Sequence, residues 1–434
     1  MVDREAWLGS RLAVDDLAVG AIGAGLLAAA ELAQARGFGD PAVELSAEHA
    51  ALSFVSERHL LIDGRPGGPG FAPLSRLVRC REGWARTHGN YPHHAAALAR
   101  ALGLGDAPTP ETLAAAASQL CSRDLEARVI EHGGCAAALR SAEEWATHPA
   151  GQAVAAEPLV AWGAMPDGAP LATVAASAHP SRPATGVRVL DLTRVIAGPV
   201  AGRTLAAFGA TVLRVDPPGL PEIAAQHADT GAGKLTTVLD LADDRVREEL
   251  LRGADAVLIG YRPGALSRFG LGEAHLAERH PHLVQVRLAA WGHSGPWSGR
   301  RGFDSLVQVG SGIAASLCAD DGTPGALPAQ ALDHATGHLM AAAALRGLAR
   351  RARGEPAAAA RLSLARTAGA LLGARLPADP LTDATGAADP DRFRVAFGGL
   401  SLIGPPGRLD GEPLRWAHGP RPLGADPAAW PPRA

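Results

Sequence analysis

What this 434-residue sequence has little of already narrows its class. Its four cysteines, Cys80, Cys121, Cys135 and Cys318, are scattered without CxxC spacing, which excludes a disulfide framework and a cysteine zinc site and fits a reduced cytosolic chain. It also lacks an excess of one charge. A formal net charge of −3 gives no electrostatic case for nucleic acid or for an anionic membrane surface. The start, Met-Val-Asp-Arg-Glu, has no basic n-region. The apolar run Leu17 to Ala30, bounded by Asp15-Asp16 and Glu31, is too short to span a bilayer and reads as a buried helix. The expectation is a soluble, cytoplasmic protein with no nucleic-acid and no membrane partner.

A nucleotide-binding GxGxxG at a strand-to-helix turn is missing as well. Gly20, Gly23 and Gly25 lie inside the apolar helix, where small residues predict close helix packing.

What is present falls into four segments. Residues 1–160 read as a mainly helical small domain. Within it, Thr109-Pro-Glu111 opens a helix and Leu77 to Trp84 forms a short hairpin. Residues 161–185, rich in Ala, Pro, Ser and Gly, read as a linker ending at Pro180-Ser-Arg-Pro183. From Val187 the pattern changes to strand (187–192), helix (199–208) and strand (211–216). Further strands at 235–241, 256–259 and 283–288 alternate with helices, which predicts an α/β fold with a doubly wound, Rossmann-like parallel sheet over 186–350. Residues 351–434 form a strand-helix followed by a Pro/Gly-rich extension, with Trp416 and Trp430 as anchors onto the body. The phrase Ala360-Arg-Leu-Ser-Leu echoes Ala42-Val-Glu-Leu-Ser, each passing from alternation into an Ala-rich helix.

The chemistry-bearing residues gather where such a sheet binds ligands, beyond the carboxyl ends of its strands. The first βα turn carries Arg194, Ala197, Gly198 and Pro199 at a helix N-terminus suited to an anion. Arg214, Lys234 and Arg262 are isolated cations near strand ends, the last held in Tyr261-Arg-Pro263-Gly. Asp216 stands where a dinucleotide fold keeps its ribose acid, without the glycine signature that should accompany it. Asp333 stands at the mouth of a small-residue helix; the bland explanation is an N-cap. His334 and His338 make an HxxxH, but neither a third ligand nor an H-E-x-x-H pattern accompanies it, so no metal is expected.

Taken together, Leu190-Asp-Leu-Thr-Arg-Val-Ile-Ala-Gly-Pro199, Leu239-Asp-Leu241, Tyr261-Arg-Pro-Gly264, Phe269-Gly-Leu271, Gly292-His-Ser-Gly-Pro296 and Gly302-Phe-Asp304 resemble, in order, the family III CoA-transferases of the carnitine dehydratase and bile-acid-inducible type. Asp333 with Gly337 matches that family's Asp-x-x-x-Gly. The resemblance covers about residues 186–350. It implies an acyl-CoA:carboxylate CoA-transferase whose substrates are coenzyme A thioesters and a carboxylic acid acceptor. Asp333 is then the nucleophile, passing through an acyl anhydride and an aspartyl-CoA thioester. Asp304 and Gly337 join it in the catalytic set, and backbone N–H groups near Gly337 or Gly398-Gly399 hold the oxyanion. Arg194, Ala197, Gly198, Pro199, Arg214, Lys234, Tyr261, Arg262 and Pro263 form the CoA-binding set. The family also implies a homodimer.

Two departures stand out. The family's small domain follows its catalytic aspartate, whereas here residues 42–160 resemble it, with Asp63-Gly64, Glu82-Gly-Trp84, Arg100-Ala-Leu-Gly103 and Glu143-Glu-Trp145 as landmarks. That order lets one chain supply both domains. The family's racemases hold a histidine where this chain has Phe303, and a racemase needs two acid/base groups. Transferase is therefore the expectation. Acyl-CoA racemisation, with His334 or His93-His94 as the second group, is the runner-up, and a non-catalytic CoA-binding scaffold is the alternative of another class.

Overall fold

The computed structural model describes residues 6–68, 70–171, 179–374 and 386–433. Its centre is a seven-stranded sheet in the spatial order Lys234–Val238, Thr211–Asp216, Arg188–Leu192, Ala256–Ile259, Val284–Ala289, Ala359–Ser363 and Ala161–Gly163. The first six are parallel and the last is antiparallel. Numbered along the chain, the parallel strands run 3-2-1-4-5-6, the order of a dinucleotide-binding sheet. Strands buried on both faces must be apolar along their length, and Ala256-Val-Leu-Ile259 is buried at all four positions.

The sheet reaches past 186–350 on both sides. Ala359–Ser363 extends it because a parallel edge with apolar residues on both faces needs a neighbour. Ala161–Gly163, read from sequence as linker, closes that edge against it. Part of the linker, 172–178, lies outside the described residues. The first helix, Val14–Ala35, lies along the long helix Ala331–Ala352 and so belongs to the sheet body. It is long and apolar enough to cross a bilayer, yet just over half of its most apolar window is buried inside the protein. Of its three spaced glycines only Gly25 faces that neighbour, with a Cβ position 3.9 Å from the His338 carbonyl oxygen.

The hairpin pairs Leu77–Arg79 with Trp84–Thr87, and Ala136–Ala138 adds a third strand. Thr109 caps the helix Pro110–Ala117 in a reciprocal capping box. The repeated Leu-Ser phrase has one local design in both places. Ser46 accepts from the His49 N–H and Ser363 from the Arg366 N–H, each capping the helix that follows. The tail straps back as expected: the Trp416 indole donates to the Arg203 carbonyl at 2.8 Å and that of Trp430 to Leu250 at 2.9 Å.

Candidate active site

Strand order reverses between Arg188–Leu192 and Ala256–Ile259, so the loops that follow them must part. A cleft of about 700 Å³ opens there, walled by Arg194 and Ala197 from the first loop and Tyr261 and Arg262 from the second. Its floor is Asp333, and its third wall comes from the N-terminal region through Tyr91, His93 and His94. The chain's only two tyrosines, Tyr91 and Tyr261, both line it.

Asp333 lies in the first turn of Ala331–Ala352, and its side chain does not cap that helix. The Asp333 N–H donates at 2.9 Å to the carboxylate of Asp304, whose other oxygen takes the Gln308 amide. Asp304 is fully buried behind the cleft, not in it. Burial pushes the Asp304 carboxyl up to about 6, against the pull of these hydrogen bonds. The Asp333 carboxyl is raised well above the usual carboxylate range, first by burial and then by the like charges of Asp304 and Glu57. Glu57 meets the buried ring of His334 at 3.4 Å, and Phe54 stacks on both His334 and His338.

Gly337 serves packing. A Cβ there would sit 2.4 Å from the Ala197 carbonyl oxygen, so only glycine lets the long helix press against Ala197–Ala207. Its N–H lies in the helix interior, within the i→i−4 ladder, and does not face an oxyanion. Gly398-Gly399 form the turn between Arg394–Phe397 and Leu400–Ile403, away from the cleft.

Two expected ligand cations are committed elsewhere. Arg214 is buried between Asp216 at 2.8 Å and Glu222 at 2.6 Å, which also occupies the ribose-type acid. Lys234, the only lysine in the chain, is sealed against Asp191 at 2.9 Å. Gly202 makes the room for this pair, since a Cβ there would meet both charged ends within 2.7 Å. Neither side chain lines the cleft; strand-end position alone does not separate an internal ion pair from a ligand contact. Gly198 and Pro199 are buried in the first turn of their helix, Gly198 because its Cβ would strike the Thr193 side chain. Pro263 faces a smaller neighbouring cavity.

Arg194 spans the two. It pairs with Glu222 at 3.4 Å and lies over the Tyr91 ring, whose hydroxyl donates to Glu222 at 2.7 Å. Glu222 thus ties the N-terminal wall to the first βα turn. In that turn Val195 holds φ = 73°, a left-handed conformation unusual for a β-branched residue, which costs about 1–3 kcal/mol and aims the loop at the cleft.

Arg262, Arg268 and Arg301 add three guanidinium groups without an acidic partner among the described residues. Arg300 is tied to Glu126 at 2.9 Å. Arg268 carries no local sequence signal in Ser267-Arg-Phe-Gly270; its loop's position beside the switch point is what places it in the cleft. Beside Asp333, Phe303 stacks flat on His88 with centroids 3.6 Å apart, and His94 meets it edge-on at 5.6 Å. Burial pushes His94 down to about 3, so the ring is neutral, and neither of its nitrogens has a hydrogen-bond partner among the described residues.

Residues 185–395 match the family model described as CoA-transferase family III. A probable fatty acyl-CoA transferase of Mycobacterium tuberculosis is 35% identical over 193 residues, which is 41% of this chain and 49% of that protein. The mouse succinyl-CoA:glutarate CoA-transferase is 32% identical over 187 residues, 40% of this chain and 43% of its own. A crystal structure of the mycobacterial protein aligns at 35% identity over 44% of this chain and 55% of that one, with a TM-score of 0.41. The chain spans about half or less of the length of these curated relatives. The segment 185–395, which supplies the Asp333 floor and the two switch-point loops, belongs to CoA-transferase family III.

Proposed function

We propose that this chain transfers coenzyme A between carboxylic acids through Asp333. The observation that carries this reading is a carboxyl group free of capping duty in a cleft bearing three arginines without an acidic partner among the described residues. Phosphate-bearing ligands favour guanidinium groups, which bind them through two N–H donors at once. The cleft volume of about 700 Å³ lies within the range of cofactor sites.

The ionised Asp333 oxygen attacks the thioester carbonyl, the C–S bond breaks, and an acyl-aspartyl anhydride and CoA thiolate result. The thiolate, from a thiol of pKa ~8.5, attacks the aspartyl carbonyl and releases the first acid as its carboxylate. The acceptor carboxylate then attacks the aspartyl-CoA thioester, the C–S bond breaks and a second anhydride forms. The expelled thiolate attacks the new acyl carbon, giving the new acyl-CoA and freeing the Asp333 carboxylate. Atoms balance with no added reagent. Among the described residues Asp333 is joined in the lining by one other acid, Asp240, which is exposed at the rim.

Hydroxylamine treatment during exposure to acyl-CoA, followed by peptide mass analysis, tests this. Modification at Asp333 supports the reading; turnover with an unmodified Asp333, or an Asn variant at full rate, defeats it. An unmodified, inactive protein that still binds CoA is the scaffold.

A second reading rests on His94. Its neutral, unpartnered ring shares the cleft with Asp333 and contacts Phe303, where the racemases hold their histidine. An acid and a base on opposite sides of an α-carbon would exchange its proton. Deuterium wash-in from heavy water into a branched acyl-CoA, without any acceptor acid, distinguishes it from transfer.

A further inference from the structure

Beyond the loop 260–266, on the side away from Asp333, lies a second cavity of about 270 Å³. Three neighbouring strands line it, through Ile259, through Arg287 and Leu288, and through Arg361. Arg262, Arg287 and Arg361 all line it, against a single acid, Glu273. Glu273 takes Arg361 side-on through both oxygens at 2.7 Å each and stands 3.6 Å from the Arg287 Nε. The Arg287 Nη2 donates to the Leu271 carbonyl at 2.9 Å and to Gln285 at 3.0 Å, while its buried Nε makes no hydrogen bond. Arg262 has no acidic partner among the described residues. His293 donates Nε2–H to the Leu362 carbonyl at 3.0 Å and is a neutral wall.

Three positive charges against one negative leave the cavity cationic, and a buried donor without an acceptor is costly. A volume of about 270 Å³ is just under the usual range for cofactor pockets and too small for a nucleotide. The contact between Glu273 and Arg361 shows the form an occupant takes here, a planar carboxylate lying along a guanidinium edge.

We propose that this side cavity, which adjoins the CoA cleft across Tyr261 and Arg262, is a second ligand site that binds a small carboxylate independently of Asp333. The proposal goes beyond the CoA-transfer reading, because Glu273, Arg287 and Arg361 do not line the main cleft.

Succinate binding to the full chain by calorimetry, with CoA present at saturation, tests it. The expected result is binding that Arg287→Gln weakens at least about tenfold and Glu273→Gln strengthens about threefold or more, since one removes a donor and the other a competing charge. Asp333→Asn leaves both effects in place. Tightening by Glu273→Gln cannot come from misfolding, so the pair remains informative if Arg287→Gln is unstable. Succinate displaced by CoA, affinity indifferent to Glu273→Gln, or inorganic phosphate bound more tightly than succinate would each overturn the proposal.

Discussion

The carboxylate of Asp304 accepts the backbone N–H of Asp333 at 2.9 Å and so does for the long helix what Asp333 itself would otherwise do. Two buried acids near one helix start divide the work: Asp304 caps, and Asp333 lines the cleft. A helix N-terminus favours negative charge, but at Asp333 burial and the like charges of Asp304 and Glu57 outweigh that field and hold the carboxyl above its usual range.

Removing the cap therefore acts on both stability and chemistry. Asp304→Ala leaves the Asp333 N–H and the Gln308 amide without their acceptor, and about 1–3 kcal/mol of stability goes with them. Asp304→Asn has one carbonyl oxygen for two donors and loses about half of that. Denaturant unfolding with unchanged slope measures the loss. Because the helix start then shifts under Asp333, kcat falls about tenfold or more while the affinity for CoA is kept.

Asp333 has the opposite effect on stability. Its folded pKa lies above the unfolded value, so the fold favours the protonated form. That contribution is complete below the unfolded pKa of about 3.9 and is lost as pH rises through the folded value. Asp333→Asn imitates the neutral carboxyl. The variant should be more stable than the parent above that window, by about 0.5–2 kcal/mol, with the gap closing toward pH 4. A melting series from pH 4 to 8 reads it directly, and the same variant abolishes hydroxylamine trapping.

Under the proposed mechanism activity follows the other form: an Asp333 nucleophile must be ionised, so the rate should rise with pH along a limb displaced upward from the ordinary aspartate range. Glu57 contributes to that displacement as a like charge, while His334 beside it holds Glu57 itself low despite its burial. Glu57→Gln should move the limb to lower pH without changing the plateau. Asp304, raised to about 6, titrates with Asp333, so the profile reports apparent values of the pair. A limb unmoved by Glu57→Gln would place Glu57 outside the electrostatics of the site.

The alternation of strand and helix from Val187 and the place of Asp333 at the start of a small-residue helix were legible in the sequence because they rest on local pattern: alternation, apolar runs and a run of motifs in order. The roles of Arg214 and Lys234 were not. Both are isolated cations at strand positions, and only the fold brings Asp216, Glu222 and Asp191 against them. Asp304 and Asp333 are 29 positions apart, so no window of sequence shows which one caps the helix. The N-terminal wall failed to show for the same reason. His93 and His94 stand some 240 positions from Asp333, and it is chain topology, through Tyr91 on Glu222, that sets them across the cleft.

Gly337 gives the sharpest test of whether that topology rather than local chemistry holds the site. In an isolated helix Gly→Ala stabilises by about 1 kcal/mol. Here the new methyl meets the Ala197 carbonyl oxygen at 2.4 Å and the Val200 Cβ at 2.9 Å. Backbone cannot move aside as a flexible side chain does, and such overpacking costs about 1–3 kcal/mol. The clash outweighs the propensity gain, so Gly337→Ala should be less stable than the parent. The helix that yields carries Asp333 one turn earlier, and the helix it presses on begins at Ala197 in the cleft wall. Turnover should therefore fall with stability, while CoA affinity changes little. An unchanged or raised melting temperature would show that the two helices part without strain and that the glycine does not position Asp333.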